Sequence, residues 1–243
     1  MFFLVCSNLL SAQQYDVMTD IIEQNPEYII DEFYEIERDK KGKANLVLVV
    51  KSILNGSEKT TKTYYKGTPF FKDIEWAKAT VKMPNQINSI EGYVSFNQVF
   101  QQIKFKRSLD LPTYQEIVPE YLTLDTLTLV TFPDDELLAN GYYTTTSVAG
   151  LIVLKKHSKY QRNNPNQNLK GYVIDKPKFE AEFEDAPEFY VFKDEKTLRI
   201  EKDNYFYEAF GVDKKLAKSY FKKQKLNLKD EADVVLLLGF LSK

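Results

Sequence analysis

Phe179-Glu-Ala-Glu-Phe-Glu184 is the stretch that decides the fold, because apolar and acidic residues alternate along it without interruption. A period of two places Phe179, Ala181 and Phe183 on one side of a β-strand and three glutamates on the other. The chain of 243 residues also contains 17 Phe and 16 Tyr but only one Trp. We interpret most of these rings as the inward faces of many strands, and a sugar-stacking surface is the alternative.

Similar apolar or alternating stretches follow one another along most of the chain. Asp39-Lys-Lys-Gly-Lys43 predicts a turn between the first two, and Asn55-Gly56 predicts a tight hairpin turn after the second. Because short turns connect these stretches, neighbouring strands should pair antiparallel. The predicted strands are residues 28–36, 46–54, 60–65, 76–83, 92–96, 99–106, 121–132, 142–156, 178–183, 188–192, 197–201 and 205–210.

Helical spacing of apolar residues is confined to the two ends. Residues 15–24 predict an N-terminal helix that ends at Asn25-Pro26, and Asp213 is the predicted N-cap of a lysine-rich helix that precedes a second, apolar one. The predicted fold is therefore α+β, mainly antiparallel β: a curled sheet or small barrel with an N-terminal helix and a C-terminal helical pair. We expect the pair to dock on the sheet, and we interpret its lysines as a solvated face, with an anionic-lipid or nucleic-acid patch as the alternative. The predicted docking residues are Leu216, Tyr220, Phe221, Val234, Leu237 and Leu238.

The N-terminus predicts export. Phe2 to Leu10 form an apolar run too short to cross a bilayer as a helix, and the small pair Ser11-Ala12 offers a cleavage site. No Lys or Arg precedes the run, so we expect a precursor that begins upstream. Cys6 is the only cysteine, which leaves a cleaved chain without thiols, and two alternatives are a lipidated Cys6 and a partly buried N-terminal strand or helix. The expected organisation is a truncated signal at 1–13, a β-rich body at 14–211 and a helical segment at 212–243.

Charge and hydropathy exclude two classes of protein. The chain contains 33 basic and 35 acidic residues, for a formal net charge of −2. A nucleic-acid binder needs a basic surface to displace the counterions of the phosphates, so this class is not expected. No later apolar run reaches the roughly twenty residues of a membrane span, so no integral membrane span is expected.

His157 is the only histidine, and it limits the possible catalytic sites. Zinc sites with two histidines are excluded, and a Ser-His-Asp triad would have to use His157 without a Gly-x-Ser-x-Gly turn to present the serine. The nine glycines include no phosphate-binding loop. We therefore assign no catalytic, cofactor-binding or metal-binding residue and no cofactor, and we predict that His157 is a dispensable imidazole at the end of a strand.

Clustered carboxylates are the remaining groups that could hold a metal or act in catalysis. Either cluster could bind calcium through oxygen ligands or supply the acid and base of a glycosidase, but an acidic surface strand has the same pattern. A third short pattern, Asp125-Thr126-Leu127, fits an acceptor site for O-glycosylation in exported proteins. The two clusters are Asp134, Asp135 and Glu136, and Glu180, Glu182, Glu184 and Asp185.

Eight short elements follow one another between residues 67 and 225. They are Gly67-Thr-Pro-Phe-Phe71, Trp76-Ala-Lys-Ala-Thr-Val81, Gly92-Tyr-Val-Ser-Phe-Asn97, Val99-Phe-Gln-Gln-Ile-Lys-Phe105, Gly141-Tyr-Tyr143, Leu151-Ile-Val-Leu-Lys-Lys156, Phe189-Tyr-Val-Phe-Lys193 and Asp213-Lys-Lys-Leu-Ala-Lys-Ser-Tyr-Phe-Lys-Lys-Gln-Lys225. In their order and spacing the chain resembles a family of exported Bacteroidota proteins without an assigned activity. The resemblance covers roughly residues 60–243, and Tyr93 or Val94 stands where the family pattern has Arg, while residues 28–58 have no counterpart. It implies export and a β-rich body followed by lysine-rich helices, and it supplies no catalytic residue.

Together these patterns favour an exported, periplasmic or cell-surface, non-catalytic module of the envelope that binds a protein or envelope partner. The first alternative is a small-ligand or glycan-binding protein, which should have a concave pocket lined by tyrosines with few polar groups. The second is a carboxylate-based hydrolase, which should have convergent buried carboxylates.

Overall fold

The computed structural model describes residues 27–54, 57–163 and 179–243. They form two compact units, the first containing residues 27–54, 57–68, 163 and 179–182, the second residues 69–162 and 183–243. The fold is α+β and mainly antiparallel β, as the sequence predicts. The predicted signal at 1–13, the predicted helix at 15–24 and the predicted turn Asn55-Gly56 lie outside the described residues.

The first unit is built on three long antiparallel strands, β1 (Glu27–Arg38), β2 (Ala44–Leu54) and β3 (Ser57–Lys66). The predicted turn between β1 and β2 is confirmed, because Asp39 accepts hydrogen bonds from the backbone of Lys41 and Lys43 and Gly42 has a left-handed φ of 77°. The start of β13 (Ala181–Asp185) joins the outer edge of β3 in parallel, where Glu182 lies opposite Lys66.

The second unit contains a ten-stranded antiparallel sheet that curls into half a barrel. Its strands are β4 (Ala77–Lys82), β5 (Ile90–Asn97), β6 (Gln102–Lys106), β7 (Gln115–Ile117), β8 (Tyr121–Leu124), β9 (Leu127–Val130), β10 (Tyr143–Val148), β11 (Leu151–Lys156), β14 (Glu188–Lys193) and β15 (Lys196–Arg199). They lie in the order β15-β14-β11-β10-β9-β8-β4-β5-β6-β7. β12 (Lys159–Asn163) follows β11 after a short connection at residues 157 and 158.

Three helices follow the last strand, α1 (Asn204–Ala209), α2 (Lys214–Gln224) and α3 (Glu231–Leu241). Each begins after an aspartate whose side chain accepts a backbone hydrogen bond from the first turn: Asp203, Asp213 and Asp230. Among the described residues, none of the helices combines the length and the apolar character needed to cross a bilayer.

The helices pack on one end of the curled sheet and bury its largest apolar cluster. Four neighbouring strands of the sheet, β10, β11, β14 and β15, contribute Val148, Val153, Phe189, Val191 and Leu198. The buried residues of the helical segment are Ala217, Phe221, Leu226, Val234, Leu237, Leu238 and Leu241. The prediction that Leu216 docks on the sheet is wrong, because its side chain is 56% exposed. Tyr220 is partly buried, and its ring stacks on that of Phe240 with the centroids 3.9 Å apart.

Four predicted strands differ from the structure. Residues 205–210 are helical, because Asp203 caps Phe206 and the short helix buries Phe206 and Tyr207. Residues 121–132 and 142–156 each form a hairpin, with left-handed turn residues at Asp125 and Ala149. Residues 98–101 form a turn before β6, in which Asn97 accepts hydrogen bonds from the backbone of Val99 and Phe100.

Candidate functional site

A strained turn in the second unit marks the candidate site. Phe71–Asp73 form a single 3-10 turn in which Lys72 and Asp73 have left-handed φ values of 53° and 55°. This conformation costs a non-glycine residue roughly 1–3 kcal/mol, so it persists only where the surrounding contacts hold it. Asp73 and Ile74 donate backbone hydrogen bonds to the carbonyls of Phe70 and Phe71, at 3.2 Å each.

The turn forms one wall of a polar cavity of about 400 Å³, which we call the lysine pocket. Its other walls come from the turn after β5, from the β11–β12 connection, from the β13–β14 connection and from the loop between α2 and α3. The residues that line it are Phe71, Lys72, Asp73, Gln98, Lys155, His157, Ser158, Lys159, Asp185, Pro187 and Lys229.

Positive charge dominates the lysine pocket. Four of its lining residues are lysines, Lys72, Lys155, Lys159 and Lys229, whereas Asp73 and Asp185 are its two carboxylates. Lys155 also forms an ion pair with Glu231 at the start of α3, with Nζ 2.9 Å from the carboxylate. The pocket has an excess of cationic groups even when this ion pair is set aside.

Lys159 is the least exposed of these ammonium groups and forms the floor of the pocket. Its side chain is 10% exposed, and its Nζ lies 3.0 Å from Oδ1 of Asp73 and 3.2 Å from the carbonyl oxygen of Phe70. The Asp73 side chain is 40% exposed. Because a buried charge must be paired, the Lys159–Asp73 ion pair helps to hold the strained turn against β12.

His157 contributes a neutral ring to the pocket wall. Its Nε2 lies 2.9 Å from the hydroxyl of Thr144, and its ring packs edge-on against Phe71 with centroids 5.2 Å apart. The pKa of His157 is lowered from 6.5 to about 4, chiefly by burial and also by the charge of Lys155, while Glu231 partly opposes the shift. The imidazole is therefore uncharged at neutral pH.

The hydroxyl of the neighbouring Ser158 also has a hydrogen-bond partner within the protein. Its hydroxyl donates a hydrogen bond of 2.5 Å to the carbonyl of Ala186. A nucleophilic serine needs a hydrogen bond to a base that is itself oriented by a third group, and His157 is instead bonded to a threonine. The pair His157-Ser158 thus has the contacts of a structural element.

Gln101 fixes the backbone around the pocket. Its side-chain nitrogen donates to the carbonyls of Gln98 and His157, at 2.8 and 2.9 Å, and its side-chain oxygen accepts from the backbone of Tyr142 at 3.4 Å. The backbone of Lys159 also donates to the carbonyl of Gln98. These bonds join β10, the β11–β12 connection and the turn after β5, so the lining side chains project from a connected frame.

A second, wider cavity of about 610 Å³ borders the same turn, and we call it the Trp76 groove. It shares Phe71 and Lys72 with the lysine pocket, and six of its twelve lining residues are apolar. The Trp76 ring lies 6.4 Å from that of Tyr114, and the ammonium of Lys106 lies 4.5 Å from the Trp76 ring. Phe71 and Trp76 are the aromatic residues that line the groove.

The predicted carboxylate clusters do not assemble a metal site among residues 27–54, 57–163 and 179–243, where no three Asp, Glu, His or Cys side chains converge suitably. Asp135 caps the backbone of Leu137 and accepts from Thr197, while Asp134 and Glu136 point to solvent. Glu182 pairs with Lys66, and Glu184 pairs with Tyr160 and Arg162. Glu180 is exposed, as are Asp125 and Thr126 of the predicted glycosylation site, which remains a prediction.

Sequence reasoning singled out His157 but not the four lysines around it. Comparison of the chain with protein-family models, with curated proteins and with solved structures finds no match.

Proposed function

We propose that the protein is a non-catalytic binding module and that the lysine pocket holds a small polar ligand. The observation that supports this most directly is a cavity of about 400 Å³ whose polar side chains converge from a connected backbone frame. Small-molecule sites are typically preformed concavities of 300–1,000 Å³ with a few placed polar groups. The preformed cavity therefore favours a ligand-binding protein over a scaffold of the envelope.

The contacts within the pocket favour binding over catalysis. General base catalysis at neutral pH needs a group whose pKa lies near the working pH, and the pKa of His157 is about 4. Ser158 donates to a carbonyl, and Asp73 is paired with Lys159. Without an activated nucleophile, these residues bind and orient a molecule; they do not transform it.

We further propose that the module acts in the periplasm or at the cell surface, in contact with an envelope protein or glycan. The apolar run from Phe2 to Leu10, the single cysteine and the family resemblance support this location. We expect N-terminal sequencing of the protein from an envelope fraction to show a chain that begins near Ala12 or Gln13. An intact Met1 on protein recovered from the cytoplasm would contradict the proposal.

His157 offers a direct test of ligand binding, because a chain with one histidine gives a single set of imidazole resonances in NMR spectra. Tag-free protein is titrated with a defined panel of sugars, amino acids, carboxylic acids and phosphate esters. We expect at least one compound to shift the His157 resonances with saturation at millimolar concentration or below. Trp76, the only tryptophan, serves as the control, since its fluorescence reports on the Trp76 groove. If the compounds change the Trp76 fluorescence but not the His157 resonances, the binding site lies in the Trp76 groove and the proposal is contradicted.

A further inference from the structure

We propose that the ligand of the lysine pocket is a small molecule with an oxyanionic group, a phosphate or a carboxylate, and that this group replaces Asp73 as the partner of Lys159. The inference rests on the proposed function and adds the chemical class of the ligand and the way in which it enters the site.

The charge of the lining is the first argument. Four lysines line the cavity together with Asp73 and Asp185, and Lys155 is also paired with Glu231, so the lysines exceed these three carboxylates by one in a protein whose formal net charge is −2. A concave site with an excess of one sign of charge concentrates counter-ions. Lysine ammonium groups act on phosphate and carboxylate as point charges with several donors, so they suit either anion. The lysines, which are the cations among the described lining residues, act without the planar bidentate fork of an arginine.

The difference in burial between Lys159 and Asp73 is the second argument. Lys159 is held on the floor, where it retains the Phe70 carbonyl as a partner, whereas Asp73 reaches it from a more exposed turn. An incoming oxyanion can therefore take the position of the Asp73 carboxylate without leaving the buried ammonium unpaired.

The test follows the His157 resonances during titration with inorganic phosphate, citrate and glucose, each at constant ionic strength set with sodium chloride. We expect saturable shifts with phosphate or citrate and none with glucose. Lys159→Met keeps the apolar stem but removes the ammonium, so we expect anion affinity to fall by about tenfold or more. Asp73→Asn removes the competing charge while asparagine still tolerates the left-handed conformation, so we expect affinity to rise by about tenfold. Lys218→Met, an exposed loss of one charge on α2, is the matched control and should leave affinity unchanged.

The outcomes separate the two proposals. Saturable shifts with glucose but not with either anion would overturn the ligand class and leave the binding function standing. If neither these probes nor the wider panel shifts the resonances, the binding function itself fails. A lower anion affinity in Asp73→Asn would show that Asp73 assists anion binding and is not replaced by the anion. If Lys218→Met lost as much anion affinity as Lys159→Met, the loss would reflect the net charge of the protein and not a specific contact in the lysine pocket.

Discussion

A chain that ends at Val212 is expected to lose the folded state of the second unit. Removal of residues 213–243 strips α2 and α3 from a cluster in which Phe221, Val234, Leu237, Leu238 and Leu241 are at most 9% exposed. Each such side chain contributes roughly 1.5–3 kcal/mol when fully buried, so their sum is comparable with the whole stability of a typical domain. Circular dichroism and two-dimensional NMR spectra of the truncated chain should show loss of the cooperative unfolding transition and of dispersed resonances.

Two adjacent leucines in α3 provide the matched control for this prediction. Leu237 is 0% exposed, whereas Leu236 is 52% exposed. We expect Leu237→Ala to lower the free energy of unfolding by about 2–5 kcal/mol and Leu236→Ala to change it by less than about 0.5 kcal/mol. Urea unfolding of both variants measures the difference. If the two substitutions lowered the free energy of unfolding equally, or if the truncated chain had the melting temperature of the full chain, the helices would contribute nothing to the core.

Acidification below pH 6.5 is expected to destabilise the second unit through His157. Its pKa is about 4 in the folded chain and 6.5 as the ordinary value, so between these limits the unfolded state binds the additional proton. The contribution of the neutral imidazole to the free energy of unfolding is therefore fully present above pH 6.5. This contribution decreases as the pH falls from 6.5 to 4, and it is lost below pH 4. The shift corresponds to about 3 kcal/mol over this window.

Comparison with His157→Gln isolates this contribution from the carboxylates that also titrate in acid. Glutamine can still form a hydrogen bond with Thr144 but does not titrate, so the variant should lack the loss of stability between pH 6.5 and 4. The measurement is the difference in free energy of unfolding between the two proteins at several pH values. A difference that does not change with pH would show that the ring of His157 is protonated equally in both states.

The β-strands were predictable because burial of one face leaves a local pattern. Alternation at Phe179 to Glu184 and the apolar run of β2 each identify a strand from its own residues. Residues 205–210 were predicted wrongly because their aromatic residues favour strands, while the cap of Asp203 and the burial of Phe206 and Tyr207 select a helix. The turn at Asp125-Thr126 escapes prediction because its one turn-forming residue, Asp125, is followed by Thr and not by the Gly that marks a tight hairpin.

The lysine pocket could not be predicted from spacing. Its cationic groups come from Lys72, Lys155, Lys159 and Lys229, which lie on a turn, two strands and a helical connection. Lysine is abundant on any exposed surface, so nothing in the local sequence distinguishes these four from the rest. Only the register of β11, β12 and the preceding turns brings them together. His157 is the lining residue that the sequence distinguishes, because it is the only histidine of the chain.

The parallel strand that completes the first unit has a consequence for the order of synthesis. β1, β2 and β3 are synthesised before β4 to β12, whereas the residues that cover the outer edge of β3, up to Glu182, are synthesised after them. Until then the outer edge of β3 exposes backbone N–H and C=O groups, with which a strand of another nascent chain can pair. The charged side chains of β3, such as Lys59, Lys62 and Lys66, repel a second copy of the same strand during this interval. Assembly of the first unit is thus completed only after β4 to β12 have been made.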